Sequence, residues 1–301
     1  MSDARRTDQI LKWIPMIPFR KIFSNILQAP KFPTIALLIF LICGVFGHLI
    51  APHDPNQTSF QHSLLPPFWM KGGLASYPLG SDHLGRDILS RIIVGAGVSL
   101  EVGILTAFFS GLLGALVATL GGYLGGKIDT LLMRLVDMVL SMPFLVLAVT
   151  LAAIIGASKY NLIIILAGVA WAWYARVLRA EVLKIKEGDF IRLAIVAGCS
   201  KTRIMVRHVF PNIVNSLVVL ATLNLGVVII AEASLSFLGL GIPPPAPAWG
   251  SMISEGRNYI GQAWWLSVWP GVAILLVVLS FNLLGDWLRV RLDPKFRQTR
   301  L

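Results

Sequence analysis

Residues 98–120, VSLEVGILTAFFSGLLGALVATL, decide the fold class. Their one ionisable residue, Glu101, stands near the start. The stretch is long enough to cross a bilayer as a helix, which takes about 20 mostly apolar residues. Small residues recur at every fourth position, Gly103, Ala107, Gly111, Ala115 and Thr119, and a second row runs through Gly114, Ala118 and Gly122. Such positions share a helix face. In lipid, small-residue stripes let backbones approach closely, where packing replaces the hydrophobic effect. This is a membrane helix built to sit inside a bundle.

Five further stretches satisfy the same length criterion: Phe32–Ile50, Leu135–Gly156 (with Asp137 and Pro143 inside it), Asn161–Leu178, Ile213–Ala231 and Leu266–Gly285. The whole composition agrees. Of 301 residues, 56% are hydrophobic and 14% charged, against about 25% charged in soluble domains. That excludes a disordered chain, a collagen-like chain, a disulfide scaffold and a water-soluble enzyme. The predicted fold is therefore an all-α integral membrane protein with six transmembrane helices. Phe32–Ile50 follows too long a leader for a signal peptide, and no small-x-small cleavage site comes after it, so it reads as a retained anchor. Cys43 and Cys199 lie far apart and read as free thiols.

The net charge of +11 is informative through its placement. With the six spans drawn, 21 of the 26 Lys and Arg fall on one side, in 1–31, the 121–134 connection, Arg176–Arg207 and the tail. Positive loops stay inside, so both termini are expected in the cytoplasm, and the charge calls for no nucleic-acid partner. The organisation that follows is a cytoplasmic segment 1–31, an anchor 32–50, an outward segment 51–97 with an amphipathic end, a core 98–285 and a cytoplasmic tail 286–301. No internal repeat is visible, which weighs against an inverted-repeat secondary transporter.

Glu101, Asp137, Glu232 and Asp286 all lie near span ends, so neither a proton relay nor an arginine ladder is evident. Asn215, Thr222, Asn224, Glu232 and Ser234 place polar groups along span five and are the candidates for lining a pathway; interhelical hydrogen bonding explains them equally well. Trp249, Trp264, Trp265 and Trp269 gather at the outer end of span six and read as an interfacial aromatic belt. Arg86 and Asp87 read as a local ion pair.

The cytoplasmic stretch 188–201, GDFIRLAIVAGCSK, reads as a short helix. Asp189 is the expected N-cap, Gly198 the left-handed C-cap, Ser200 the cap of the next helix, and Pro211 the restart into span five. Phe190, Leu193, Ala194 and Ala197 fall on one face. A helix too short to span, with an apolar face, requires cover from either the membrane surface or a groove on a partner protein.

The stretch from Phe190 to Pro211 resembles the cytoplasmic loop of permease subunits in ATP-binding-cassette importers. That family carries a Glu-Ala-Ala triplet, a Gly four residues later and a Pro near the next span. Here Ala194, Gly198 and Pro211 match, while Arg192 and Leu193 replace the Glu and the first Ala. Two other stretches are similar to the permeases for dipeptides, oligopeptides and nickel. One runs from Leu79 through Gly85, Arg86 and Asp87 to Arg91; the other runs from Glu232 to Gly241 and on to Trp249 and Gly250. The ending Gly285-Asp286 to Leu292-Asp293-Pro294 matches as well.

The resemblance covers about residues 32–296 and implies a type I ABC importer permease fold, the six-span half of a permease heterodimer. It also implies its companions: a second homologous permease, two cytoplasmic ATPases that bind ATP and Mg, and an extracytoplasmic substrate-binding protein. On this reading Asp189, Phe190, Arg192, Leu193, Ala194, Ala197, Gly198 and Pro211 couple the chain to an ATPase, and Gly85, Arg86 and Asp87 form an outer-face motif. The chain itself has no Gly-x-x-x-x-Gly-Lys-Ser/Thr phosphate loop and no nucleophile-base set, so it is expected to hold no cofactor or metal and to be no enzyme. The expected site is the bacterial inner membrane and the expected cargo is di- or oligopeptides. Nickel or another small solute is the alternative within the family, and a self-contained secondary transporter the alternative outside it.

Overall fold

The computed structural model describes residues 29–292. The segment 1–28 and the Asp293-Pro294 ending lie outside the described residues. The chain runs through α1 (Lys31–Ile50), α2 (Ile88–Leu124), α3 (Gly126–Leu140), α4 (Phe144–Ile155), α5 (Lys159–Lys186), α6 (Asp189–Val196), α7 (Lys201–Ile204), α8 (Phe210–Phe237), α9 (Trp249–Gly256) and α10 (Trp265–Leu292). Among the described residues there is no β-strand, only an isolated bridge between Ser81 and Asp87.

Among the described residues, five helices are long and apolar enough to cross a membrane, or six when the bent pair α3 and α4 counts as one. That pair is where the structure departs from the expected third span. Instead of one helix over Leu135–Gly156, α3 and α4 meet at 85°. The break falls on Ser141-Met142-Pro143. Pro143 has no N–H to donate, and its ring collides with the carbonyl a continuing helix would place four residues back. Residue 143 therefore serves as the N-terminal cap of α4 rather than its interior. Arg176 and Arg179 of α5 hold α3 through Asp137 and Asp129, the latter pair bonded at 2.5 and 2.6 Å.

α2 begins at Ile88, ten residues before the expected span. Its 37 residues extend about 55 Å, well past a hydrocarbon core of about 30 Å. The amphipathic end expected of the outward segment is thus the first turns of α2 itself. The two small-residue rows of α2 serve two different partners. A Cβ on Gly114 would sit 2.4 Å from the Cβ of Tyr174 and 2.8 Å from the Trp171 carbonyl, so this row lets α5 lie directly on the α2 backbone. Gly103 and Gly111 instead face Leu225 and Leu217 of α8, with the Tyr174 ring at the edge of Gly111.

Between α7 and α8, residues Met205–Val209 form a π-turn, and the whole of Lys201–Phe237 reads as one long helix. Pro211 was expected to restart the chain. It lies inside this helix instead, at the start of α8. The widened turn just before it accommodates a residue that cannot make the regular i to i−4 bond. The Asn212 side chain donates to the His208 carbonyl at 2.6 Å.

One packed cluster joins α1, α2, α9 and α10 through Phe40, Ile88, Trp249, Trp265 and Phe281. Another joins the opposite ends of α2 and α5 to α6 and the start of α8, through Tyr174, Leu178, Val182, Ile191, Ile204 and Ile213.

Candidate functional site

Two regions concentrate the sequence-predicted residues. The first is α6. Gly188, not Asp189, takes the N-cap position; Asp189 is the first helical residue, where its charge favours the helix N-terminus. The C-terminus follows the sequence reading. Gly198 has φ +77°, its N–H bonds to the Ile195 carbonyl at 2.9 Å, and the Cys199 N–H bonds to Ala194 at 3.0 Å. Those two bonds define a Schellman motif. Ser200 then caps α7 by accepting from the Arg203 N–H. The chain is thereby turned sharply on both sides of an eight-residue helix.

α6 is fastened on one side only. Ile191 and Ala194 are buried against Val182, Ile204 and Val209. Phe190, Leu193 and Val196 are 46, 68 and 85% exposed. Ala194 therefore leaves the outward face on which the sequence placed it, and Val196 joins that face. The reason is rotational: an inward pair at i and i+3 fixes the helix roll, and the residues between them point away. Ala197 and Gly198 are exposed, as is Pro211. Arg192 is also exposed and lies 3.7 Å from Asp189.

The second region is built by residues 80–91 with α9. Asp82 accepts from the backbone N–H groups of Leu84 and Arg86, each at 2.9 Å. The Arg86 guanidinium donates to Asp82 at 2.5 Å and to Glu255 of α9 at 2.6 Å, while Arg91 lies 3.8 Å from both carboxylates and donates to the Pro55 carbonyl. Arg86 and Arg91 are only 5 and 2% exposed. Two cations and two anions thus share a site in which Arg86, Arg91 and Asp82 are buried and Glu255 is a quarter exposed, and each buried charge depends on the others for compensation. The expected pair between Arg86 and Asp87 does not form. Asp87 instead caps α2, accepting from the N–H of Ser90 at 3.0 Å and its hydroxyl at 2.5 Å. Gly85 has φ +75°, and a Cβ there would fall 1.9 Å from the Ser59 carbonyl. Asp82, His83 and Glu255 also offer ligand atoms within 4.8 Å of one another. Both carboxylates are already paired with Arg86 and Arg91, so a cation there would meet two guanidinium charges.

The same region claims two tryptophans read from sequence as belt residues. Trp249 and Trp265 are buried, and their indole N–H groups donate to the carbonyls of Ile92 at 3.1 Å and Ser81 at 3.2 Å. The folded segment between α1 and α2 covers the span ends and takes these rings into the core. Glu255 and Arg91 had no assigned role from sequence. The signal available was the Asp82 and Arg86 spacing of four within a Gly-rich turn; the partner 169 positions further on gave none.

The pathway candidates do not converge. At about 100° per residue, Asn215 and Thr222 share a face of α8 and Asn224 lies roughly opposite. Thr222 and Ser234 donate to carbonyls four residues back on their own helix. Glu232 is 1% exposed and accepts from Ser99 at 3.2 Å and Ser236 at 2.9 Å, joining α2 to α8 rather than facing open space. Ser234 alone of the five borders a groove, of about 430 Å³, shared with Ile230, Ala233, Phe237, Leu238, Ile253 and Ile274.

The comparisons with known proteins bear on the whole chain. Residues 110–298 match the family described as binding-protein-dependent transport system inner membrane component. The di/tripeptide transport system permease protein DppC of Pseudomonas aeruginosa is 41% identical over 261 residues, covering 87% of this chain and 86% of the relative. The dipeptide transport system permease protein DppC of Escherichia coli is 40% identical over 99% of this chain and all of its own length. The Haemophilus influenzae protein of the same name is 37% identical over 97% of this chain and all of its own length. With the multi-span helical architecture, these findings establish that the chain belongs to the family of inner membrane components of binding-protein-dependent transport systems.

Proposed function

We propose that this chain is one of two permease subunits in an ATP-driven importer of di- or oligopeptides in the bacterial cytoplasmic membrane, with both termini in the cytoplasm. The substrate class rests on the three named peptide permeases and on the length over which the chain matches them. A second homologous permease completes the pathway, two cytoplasmic ATPases bind and hydrolyse ATP with Mg, and a binding protein delivers peptide on the other face. This chain supplies half of the pathway wall and one contact to an ATPase.

The observation that carries the coupling role is the asymmetry of α6. One side, Ile191 and Ala194, is fixed to the permease, and the other, Phe190, Leu193 and Val196, is exposed apolar surface. Such a face fits helix-in-groove docking. ATP binding closes the ATPases, α6 moves with the groove that holds it, and the cluster around Tyr174 and Ile204 carries that motion into α2, α5 and α8. The nucleotide shifts the permease only as far as its affinity differs between the two conformations.

The test is purification of the tagged chain from native membranes in mild detergent, followed by reconstitution with the binding protein. The expected result is recovery with a second permease and ATPase subunits, and dipeptide uptake that requires ATP. Uptake by the chain alone, without ATP, would overturn the proposal.

A further inference from the structure

The turn at Pro67–Gly73 presents an unusual surface. Phe68, Trp69 and Met70 are consecutive, and they are 56, 50 and 36% exposed. Lys71 beside them is exposed too. Three successive exposed apolar residues are a liability in water unless they serve a purpose. The turn is also rigid. The Met70 N–H bonds to Pro67 at 2.8 Å, the Gly73 N–H bonds to Met70 at 3.0 Å, and the Phe68 N–H reaches back to Pro78 at 3.3 Å. The backbone of the turn is thus fixed, and Phe68, Trp69 and Met70 keep a third to a half or more of their surface exposed.

The position of this turn is fixed by α10. The Trp69 ring meets that of Trp269 edge-on at 5.9 Å, and Trp264 stands 6.1 Å beyond. Trp269 is in the first two turns of α10, whose 28 residues extend about 42 Å. That exceeds a hydrocarbon core of about 30 Å, so the ends of α10 lie at headgroup depth. Trp69 shares that depth. Tryptophan is enriched there because its ring has an apolar body and one polar edge. A lysine in the same place keeps its stem along apolar surface and its ammonium among phosphates.

The geometry points to the Phe68-Trp69-Met70-Lys71 turn as a membrane-interface anchor that seats the segment between α1 and α2 in the lipid headgroup layer. The occupant of this surface is lipid, because the patch is continuous, through Trp269, with the surface where a membrane span emerges. The interfacial belt at this end of α10 then comes in part from a loop some 200 residues earlier in the chain, while Trp249 and Trp265 serve the core. The anchor would hold the Asp82–Arg86–Arg91–Glu255 cluster at a fixed height above the bilayer as the helices below it move.

The experiment is collision-accessibility electron paramagnetic resonance on the complete importer in lipid nanodiscs. Cys43 and Cys199 are replaced by Ala, and a nitroxide is placed at Met70→Cys, with Lys71→Cys as a second site should the first variant assemble poorly. Leu38→Cys on the exposed face of α1 gives the bilayer reference. At position 70, the ratio of relaxation by dissolved oxygen to relaxation by a water-soluble nickel chelate should lie between the value at position 38 and the value of the free nitroxide in buffer. A ratio equal to that of the free nitroxide would place the turn in water. Protection from both reagents would place it under a protein, the second permease or the binding protein. Either result overturns the anchor and leaves the permease assignment untouched.

Discussion

Gly198 and Arg86 show how single residues set the two ends of the molecule. Gly198 has open space where a Cβ would go, so its φ of +77°, not crowding, makes the position selective. A left-handed conformation costs a residue with a Cβ about 1–2 kcal/mol, and Asn tolerates it best among such residues. Gly198→Val should therefore reduce ATP-driven uptake severely while Gly198→Asn retains most of it, both measured in proteoliposomes with matched protein content. Equal loss in both would show that φ is not the controlling feature. At the other end, Arg86→Met removes the guanidinium that bridges Asp82 and Glu255. Breaking a buried pair by deleting one partner costs about 3–5 kcal/mol. The purified protein should unfold at a markedly lower temperature, and α9 should become sensitive to protease. An unchanged melting profile would make the cluster energetically idle.

At the scale of elements, what the sequence revealed and what it concealed divide by range. Gly198, Ser200 and the small-residue rows of α2 act within a few positions of themselves, and their roles were legible. The roll of α6 was not, because Ile191 and Ala194 are buried by residues of α5, α7 and α8 that periodicity within α6 cannot sense. For Glu232 the sequence leaves a pathway group and an interhelical hydrogen bond equally open; its bond from Ser99 on another helix depends on packing that span five alone does not reveal. The break between α3 and α4 had its cause in plain view at Pro143, but a single proline kinks some spans and ends others. The α2 rows support a comparison of two alanine substitutions. Gly114→Ala drives a Cβ to 2.8 Å from a backbone carbonyl that cannot move aside, whereas Gly111→Ala meets the flexible end of Leu217 at 3.2 Å and the Tyr174 ring at an ordinary contact distance of 3.6 Å. Overpacking of the first kind costs about 1–3 kcal/mol. Thermal unfolding in detergent should show Gly114→Ala well below wild type and Gly111→Ala close to it. The reverse order would mean that α2 and α5 are not held as tightly as their spacing indicates.

At the scale of the whole molecule, one side of the bundle carries the charge cluster and the aromatic turn, and the other carries a short helix half committed to its own chain. The packed cores between them run along α2, α5 and α8, so a displacement of α6 has a continuous route of side chains through which to act. In the proposed function the exposed face of α6 sits in an ATPase. A photo-reactive amino acid at Leu193, introduced into the importer in its native membrane, tests this directly. Illumination should yield an adduct of this chain with an ATPase subunit, identified by mass, in a protein that still transports peptide. Adducts with lipid or the second permease alone, at normal uptake, would contradict the account.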